Sequence, residues 1–315
     1  MLNIGSNINE MRVDGSVSRL RSDLEAFQSF GLTAAEISIH GLDLVKNGRL
    51  DCSRAAEVQS VMADFPFRYS AHAPNPLNLM DKKYQELHRD VLHASLEFAA
   101  ESGVEVLVYH PGRFLVEETF AISAPFVCPP EEQQRLLADE ARLLQEAADC
   151  FPAVTIAMEN ARPYLYHSPY CYAEFPARLK QQIDRIDRPN VRMTLDFGHL
   201  HMASRFYNLN PVDEVRNCAP LIAHCHVHDN FGNPVTYAEK NQTHQLPFGK
   251  GDSHMPVGWG NIQFSNLFQA FIDGYSGILI CELRGRYFEA TGESAATLAA
   301  ILQQAGAGER LAPSC

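Results

Sequence analysis

With 315 residues, 46% of them hydrophobic, the chain is long enough for one large α/β domain over 1–315 with a substantial core. Its formal net charge of −12, from 26 basic and 38 acidic side chains, disfavours broad electrostatic binding to nucleic acid or to an anionic membrane. The start MLNIGSNINEMRVDG lacks a secretory leader, the cysteines are scattered with no CxxC pair, and no apolar run is long enough to span a bilayer, so a reduced, cytoplasmic protein is expected.

Strand and helix patterns alternate along the chain. Residues 2–8 (LNIGSNI) read as a first strand. Residues 16–31 read as a helix, with Leu20, Leu24, Phe27 and Phe30 at helical spacing and Gly31 as its stop. A second strand (34–42), a second helix (52–65) and a third strand, RYSAHAP (68–74), follow. Asp81 is the expected cap of a long helix over 81–103. VEVLVYHPG (104–112) is the fourth strand, and a long apolar connection leads to a fourth helix over 131–150. VTIAMEN (154–160) is the fifth strand, followed by a helical stretch, 170–186, with a break expected at Pro176. VRMTLDFGH (191–199) is the sixth strand, 213–221 a short helix and LIAHCHVHDN (221–230) the seventh strand. A Gly- and Pro-rich segment runs from Phe231 to Gly260. Helix seven (264–274), strand eight (277–285) and a last helix (294–307) complete the chain. Eight strands and eight helices in alternation point to a (β/α)8 barrel rather than an open sheet.

Nine metal-type side chains sit at or just after strand ends or in the long seventh loop: His72, His110, Glu159, Asp196, His199, His226, Asp252, His254 and Glu282. One such residue means little. Taken from six strands in sequence, they converge only if the strands close into a ring with all C-terminal ends together. Imidazole mixed with carboxylate suits zinc, and tolerates manganese, iron or cobalt. Glu159, Asp196, His226 and Glu282 are candidates for one ion. His72 and His110 are candidates for a second, with Glu159 bridging, and His199, Asp252 and His254 for a third. His224 and His228 share strand parity with His226 and are expected to face the same pocket.

The stretches SAHAP, VYHPG, AMEN, LDFGH, HVHDN, DSHMPVGWG and CEL, in order between residues 70 and 283, resemble the xylose-isomerase-like TIM barrels. That superfamily includes sugar isomerases and epimerases and the endonuclease-IV-type AP endonucleases. The resemblance to the latter implies a trinuclear zinc centre, every ligand position of which is filled by the nine residues above. An insertion before DSHMPVGWG carries His244, which competes with His254; Asp252 two residues before His254 favours His254. No basic stripe accompanies the resemblance to a DNA-repair enzyme, so a nucleic-acid partner is not expected.

Two chemistries fit. The first is hydrolysis of a phosphoester of a small molecule by two or three ions, with Arg284, Arg286 and His228 as substrate contacts. The second is isomerisation or epimerisation of a sugar or sugar phosphate at one ion, with Glu159 and Glu282 as acid and base. The isomerase reading leaves His72, His110, His199, Asp252 and His254 without a required role, so the sequence leans to the hydrolase. A non-catalytic, metal-stabilised barrel is the third reading. Tyr164, Tyr166, Tyr170, Tyr172, Phe114, Phe120 and Phe126 lie in the loops after strands four and five and are read first as rim packing and second as a sugar-stacking surface. Homo-oligomerisation is left open.

Overall fold

The computed structural model describes residues 2–120, 127–239 and 243–307. Eight parallel strands close into a barrel: β1 (Asn3–Asn7), β2 (Ala34–Ser38), β3 (Arg68–His72), β4 (Val106–Tyr109), β5 (Thr155–Glu159), β6 (Val191–Asp196), β7 (Ile222–Val227) and β8 (Ile278–Cys281). Each pairs with its neighbours in sequence, and β8 closes on β1. The (β/α)8 barrel expected from the strand and helix pattern is the fold observed.

Alternation along the strands explains the layering. Ile37 on β2, Ala71 on β3, Tyr109 on β4, Met158 on β5, Leu195 on β6 and Cys225 on β7 belong to the large apolar layer shared with the helices. Cys281 on β8 joins them, so both strand cysteines flanking ligand candidates face away from the lumen, as expected. The opposite parity points inward. At the N-terminal end of the barrel it supplies Ala34, Ile278 and Ile280, a separate apolar plug. Towards the C-terminal end it supplies Glu36, Ser70, His72, Glu159, Asp196, His224 and His226, all buried. The lumen therefore changes from apolar to ionisable along its axis.

The outer helices are α1 (Val17–Ser29), α2 (Cys52–Met62), α3 (Gln85–Glu101), α4 (Pro130–Cys150), α5 (Pro176–Ile186), α6 (Phe197–Tyr207), α7 (Pro211–Cys218), α8 (Phe264–Gln269) and α9 (Thr291–Leu302). Ser16 and Asp51 cap α1 and α2 by accepting from the Arg19 and Arg54 amides. Pro176, where a break was expected, instead starts α5, because a proline at the first helical position gives up no hydrogen bond. Asp81 does not cap α3; its carboxylate closes a turn onto the Lys83 and Tyr84 amides, and the helix begins at Gln85.

The largest departure from the sequence reading lies after β6. Phe197–Tyr207 is helical, so β6 is followed by two helices rather than one and His199 stands in a helix's first turn. The Asp196 side chain ends the strand and caps this helix, accepting from the His199 amide at 2.6 Å. The apolar-looking run LDFGH hid the boundary because strand and helix are both buried there. Between β2 and α2 a two-stranded hairpin, Val45–Lys46 with Arg49–Leu50, adds a further element. Predicted helix seven is shorter than expected, ending at Gln269 before a separate turn at Ile272–Gly274.

Candidate metal centre and active-site cavity

A cavity of about 930 Å³ opens at the C-terminal end of the barrel. Its wall includes His72, His110, Glu159, His199, Asp252, His254 and Glu282. Asp196 and His226 lie beneath it, fully buried. The fold thus brings together all nine side chains singled out in the sequence. Of the groups among the described residues in which one ligand atom per residue lies within 4.8 Å of every other, three gather the nine side chains: His72–His110–Glu159; Glu159–Asp196–His226–Glu282; and His199–His228–Asp252–His254; Glu36–His224–His226 and His72–His226–Glu282 also meet the criterion. The first two share Glu159, as the strand order implied.

Imidazole orientation shows how these groups are poised. His72 Nδ1 lies 2.7 Å from the Ala73 carbonyl, His199 Nδ1 2.8 Å from the Asn160 carbonyl and His254 Nδ1 3.0 Å from the Glu282 carbonyl. A carbonyl only accepts, so each Nδ1 carries the hydrogen and each Nε2 is turned towards the carboxylates. Backbone acceptors that fix the tautomer in this way are the usual partners of metal-binding histidines. His226 is reversed. Its Nε2 meets Glu36 at 3.1 Å, and its Nδ1 lies 2.9 Å from Glu159 Oε1 and 3.4 Å from Glu282 Oε2.

The donor set fits divalent ions on a second observation. Glu159 Oε2, Glu282 Oε2, Asp252 Oδ1, His224 Nδ1 and His228 Nδ1 are buried atoms with no hydrogen-bond partner among the described residues. Buried polar atoms left unpaired cost free energy, of the order of 1–3 kcal/mol each, unless something else satisfies them. Glu159 Oε2 lies 2.9 Å from His110 Nε2 yet makes no well-aligned hydrogen bond with it, an arrangement suited to two lone pairs directed at a common cation.

Charge within the cluster is mutually enforced. Burial raises the Glu159 carboxyl, but the His226 and His110 imidazoles outweigh it and hold it well below the usual carboxylate range. Burial lowers His72, but Glu159 and Glu36 push it up to about 9. Burial likewise opposes His199, which Asp196 and Asp252 raise to about 10. Protons and divalent cations compete for these same atoms.

The loop after β7 delivers Asp252 and His254, whose path was not derivable from sequence. The Asp229 carboxylate pins it, accepting from the amides of Asn230, Gly258 and Ile262, while Asp229 and Met255 pair through their backbones. His254 has φ +45°, a left-handed conformation unusual for a non-glycine residue and held here by that anchored loop.

The remaining expectations divide. His228 was expected to contact substrate. Instead it is fully buried, with Nε2 3.1 Å from Asp196 Oδ2 and its ring stacked 3.8 Å from that of His254. Arg284 and Arg286 both line the cavity, but the Arg284 guanidinium donates to the Asp252 carbonyl at 2.5 Å and so braces the loop. The side chain of His244 lies outside the described residues, as does Phe126. Phe120, Tyr164 and Tyr170 pack on one another with Tyr237, which fits the rim-packing reading; of these only Tyr170 reaches the cavity wall.

Sequence reasoning missed Glu36, Asn160 and Arg162. Glu36 accepts from Ser70 Oγ and meets both His224 and His226. Asn160 is locked to the Asp196 backbone on both sides, at 2.8 and 2.9 Å. The signal for Glu36 was available: it is the single charge in the apolar strand AAEIS.

A family model described as xylose isomerase-like TIM barrel matches residues 24–304. The chain belongs to that family. An uncharacterized protein of Methanocaldococcus jannaschii is 25% identical over 221 residues, which are 67% of this chain and 62% of the relative, so the match spans less than two thirds of that protein's length. Among solved structures, a D-tagatose 3-epimerase-like protein superposes with a TM-score of 0.71 at 21% identity, covering 98% of this chain and 100% of the other. An L-ribulose 3-epimerase gives 0.69 at 14% identity (98% and 97% covered), and a 3-keto-D-glucoside 4-epimerase from E. coli gives 0.68 at 16% (95% and 99% covered). At these identities the likeness establishes the fold.

Proposed function

We propose that this protein is a divalent-metal-dependent isomerase or epimerase of a small sugar or sugar derivative. The observation that carries the reading is the four-ligand group Glu159–Asp196–His226–Glu282 at the floor of a cavity sized for a small molecule, in which Glu159 and Glu282 flank His226 and each keeps one oxygen unpartnered. The family and the epimerase names carried by its structural neighbours support this over the phosphoester hydrolase towards which the sequence leaned. A bound ion would hold two substrate oxygens and stabilise negative charge developing beside a carbonyl. Asp196 and His226, fully buried, position the group and exclude water from below. Glu159 and Glu282 remove and return the proton at carbon as base and acid. Incubation of the metal-loaded protein with ketoses and aldoses in deuterated water tests this. Deuterium appearing at carbon, abolished in Glu159→Gln and Glu282→Gln, is the expected result; no exchange with any sugar tried overturns it.

One observation favours a second reading. The His72–His110–Glu159 and His199–His228–Asp252–His254 groups offer room for further ions that an isomerase does not need. Release of phosphate from phosphomonoesters, or of an alcohol and a phosphomonoester from diesters, with no deuterium exchange, would make the protein a multinuclear hydrolase instead.

A further inference from the structure

Arg162 stands where a third ion would compete with it. Its Nη1 lies 3.0 Å from His199 Nε2 and 3.2 Å from Asp252 Oδ2. These are the two atoms that, with His254 Nε2 at 2.9 Å from the same oxygen, would hold an ion in the third group. His199 turns its Nδ1 to the Asn160 carbonyl, so Nε2 is the ring atom that faces Asp252 and the Arg162 guanidinium. The guanidinium is seated rather than loose. Its other arm, Nη2, donates to the Tyr164 hydroxyl at 3.0 Å, and its side chain is only 21% exposed. Tyr164 in turn is buried among Phe120, Tyr170 and Tyr237, so the arm is anchored to a packed aromatic wall.

We propose that the Arg162 guanidinium occupies the third cation position, so that the centre takes at most two metal ions, and that Arg162 there presents a fixed positive charge to a substrate oxygen. This rests on the metal-dependent reading of the site. An arginine cannot give up its proton near neutral pH, so it supplies one unit of charge and hydrogen-bond donors but no Lewis acid and no metal-bound water. Replacing a dication by a guanidinium converts a site for generating hydroxide into one for orienting an oxygen. That suits isomerisation better than hydrolysis. It also gives the Asp252–His199–His254 group a role in an enzyme that needs only one catalytic ion: Asp252 and His199 hold Arg162, and His254 braces Asp252.

The test is metal stoichiometry by elemental analysis and zinc titration on the full chain, wild type against Arg162→Ala and Arg162→Lys. The wild type is expected to saturate at one or two ions. Arg162→Ala is expected to take up one more, since Asp252 Oδ1, which has no donor among the described residues, and His199 Nε2 then stand free as ligands. Arg162→Lys keeps a cation near the site and is expected to stay at the wild-type count. Three ions in the wild type, or an unchanged count in a folded Arg162→Ala, overturns the proposal while leaving metal dependence intact. The wild-type count decides the first point even if the alanine variant does not fold. Zero ions in every form overturns the metal reading itself, and this proposal with it.

Discussion

Glu36 and His226 face each other across the barrel lumen, from β2 and β7, with His226 Nε2 3.1 Å from Glu36 Oε1 and both side chains buried. The contact fixes which imidazole nitrogen carries the hydrogen towards Glu36 and which is left for the Glu159–Glu282 side. It also places a negative charge behind a candidate metal ligand, making the imidazole more basic.

Glu36→Gln should therefore weaken metal binding by roughly 10- to 100-fold with little change in fold, the range typical for loss of a carboxylate behind a ligating histidine. Isothermal titration of the chelated protein with zinc or manganese measures it. Affinity within twofold of wild type would show that Glu36 only fills space.

Chelation itself should lower thermal stability, and the lost stability should return on adding metal. At 100 times the dissociation constant a single site contributes about 2.7 kcal/mol. A melting temperature unmoved by chelator and by added ions, in protein shown to be metal-free, would contradict this.

Gly198→Ala should be damaging out of proportion to its size. A β-carbon there would meet the His228 ring at 2.0 Å, and His228 is trapped between Asp196 and His254. Overpacking of this kind costs about 1–3 kcal/mol. The loss should be accompanied by weaker metal binding, because the displaced ring sits against Asp196. Gly274→Ala, whose β-carbon meets nothing within 4 Å, is the control and should stay within about 0.5 kcal/mol of wild type. Equal stability of the two variants would refute the packing argument.

The chelated protein should also lose stability in alkali. His72 and His199 are raised, to about 9 and about 10, above the 6.5 of an ordinary imidazole. A folded value above the unfolded one contributes stability that is fully present below about pH 6.5 and is lost as pH rises through the folded values. Denaturant midpoints of the chelated protein should thus fall between about pH 7 and pH 10, most steeply near about pH 8, where both imidazoles hold the extra proton only in the folded state. The metal-loaded protein, with His72 already deprotonated by coordination, should show a flatter profile, and zinc uptake near neutral pH should release protons. Flat profiles for both forms would sink the argument.

The barrel and the nine-residue cluster were legible because strand alternation and strand-end position are local facts, and closure of the ring does the rest. Helix α6 was not legible, since Phe197, Gly198, His199 and Leu200 are buried on all sides and show no amphipathic period. Glu36 was overlooked for lying deeper than the strand end, where position alone does not flag a residue. Arg162 sits in a loop, and only the folded chain shows that its guanidinium reaches His199 and Asp252. His228 was given a substrate role because parity fixes direction but not depth.

Asp196 ends β6, caps α6 through the His199 amide and belongs to the four-ligand group, all with one carboxylate. Scaffold and chemistry are therefore inseparable at this position. A lineage that abandoned the metal could relax Glu282 or His110 at little structural expense, yet would still be bound to a helix-capping residue here. Asparagine is the natural escape, because it retains the cap while surrendering the charge. An Asp-to-Asn change at this one site would be the expected mark of relatives that kept the barrel and gave up the ion.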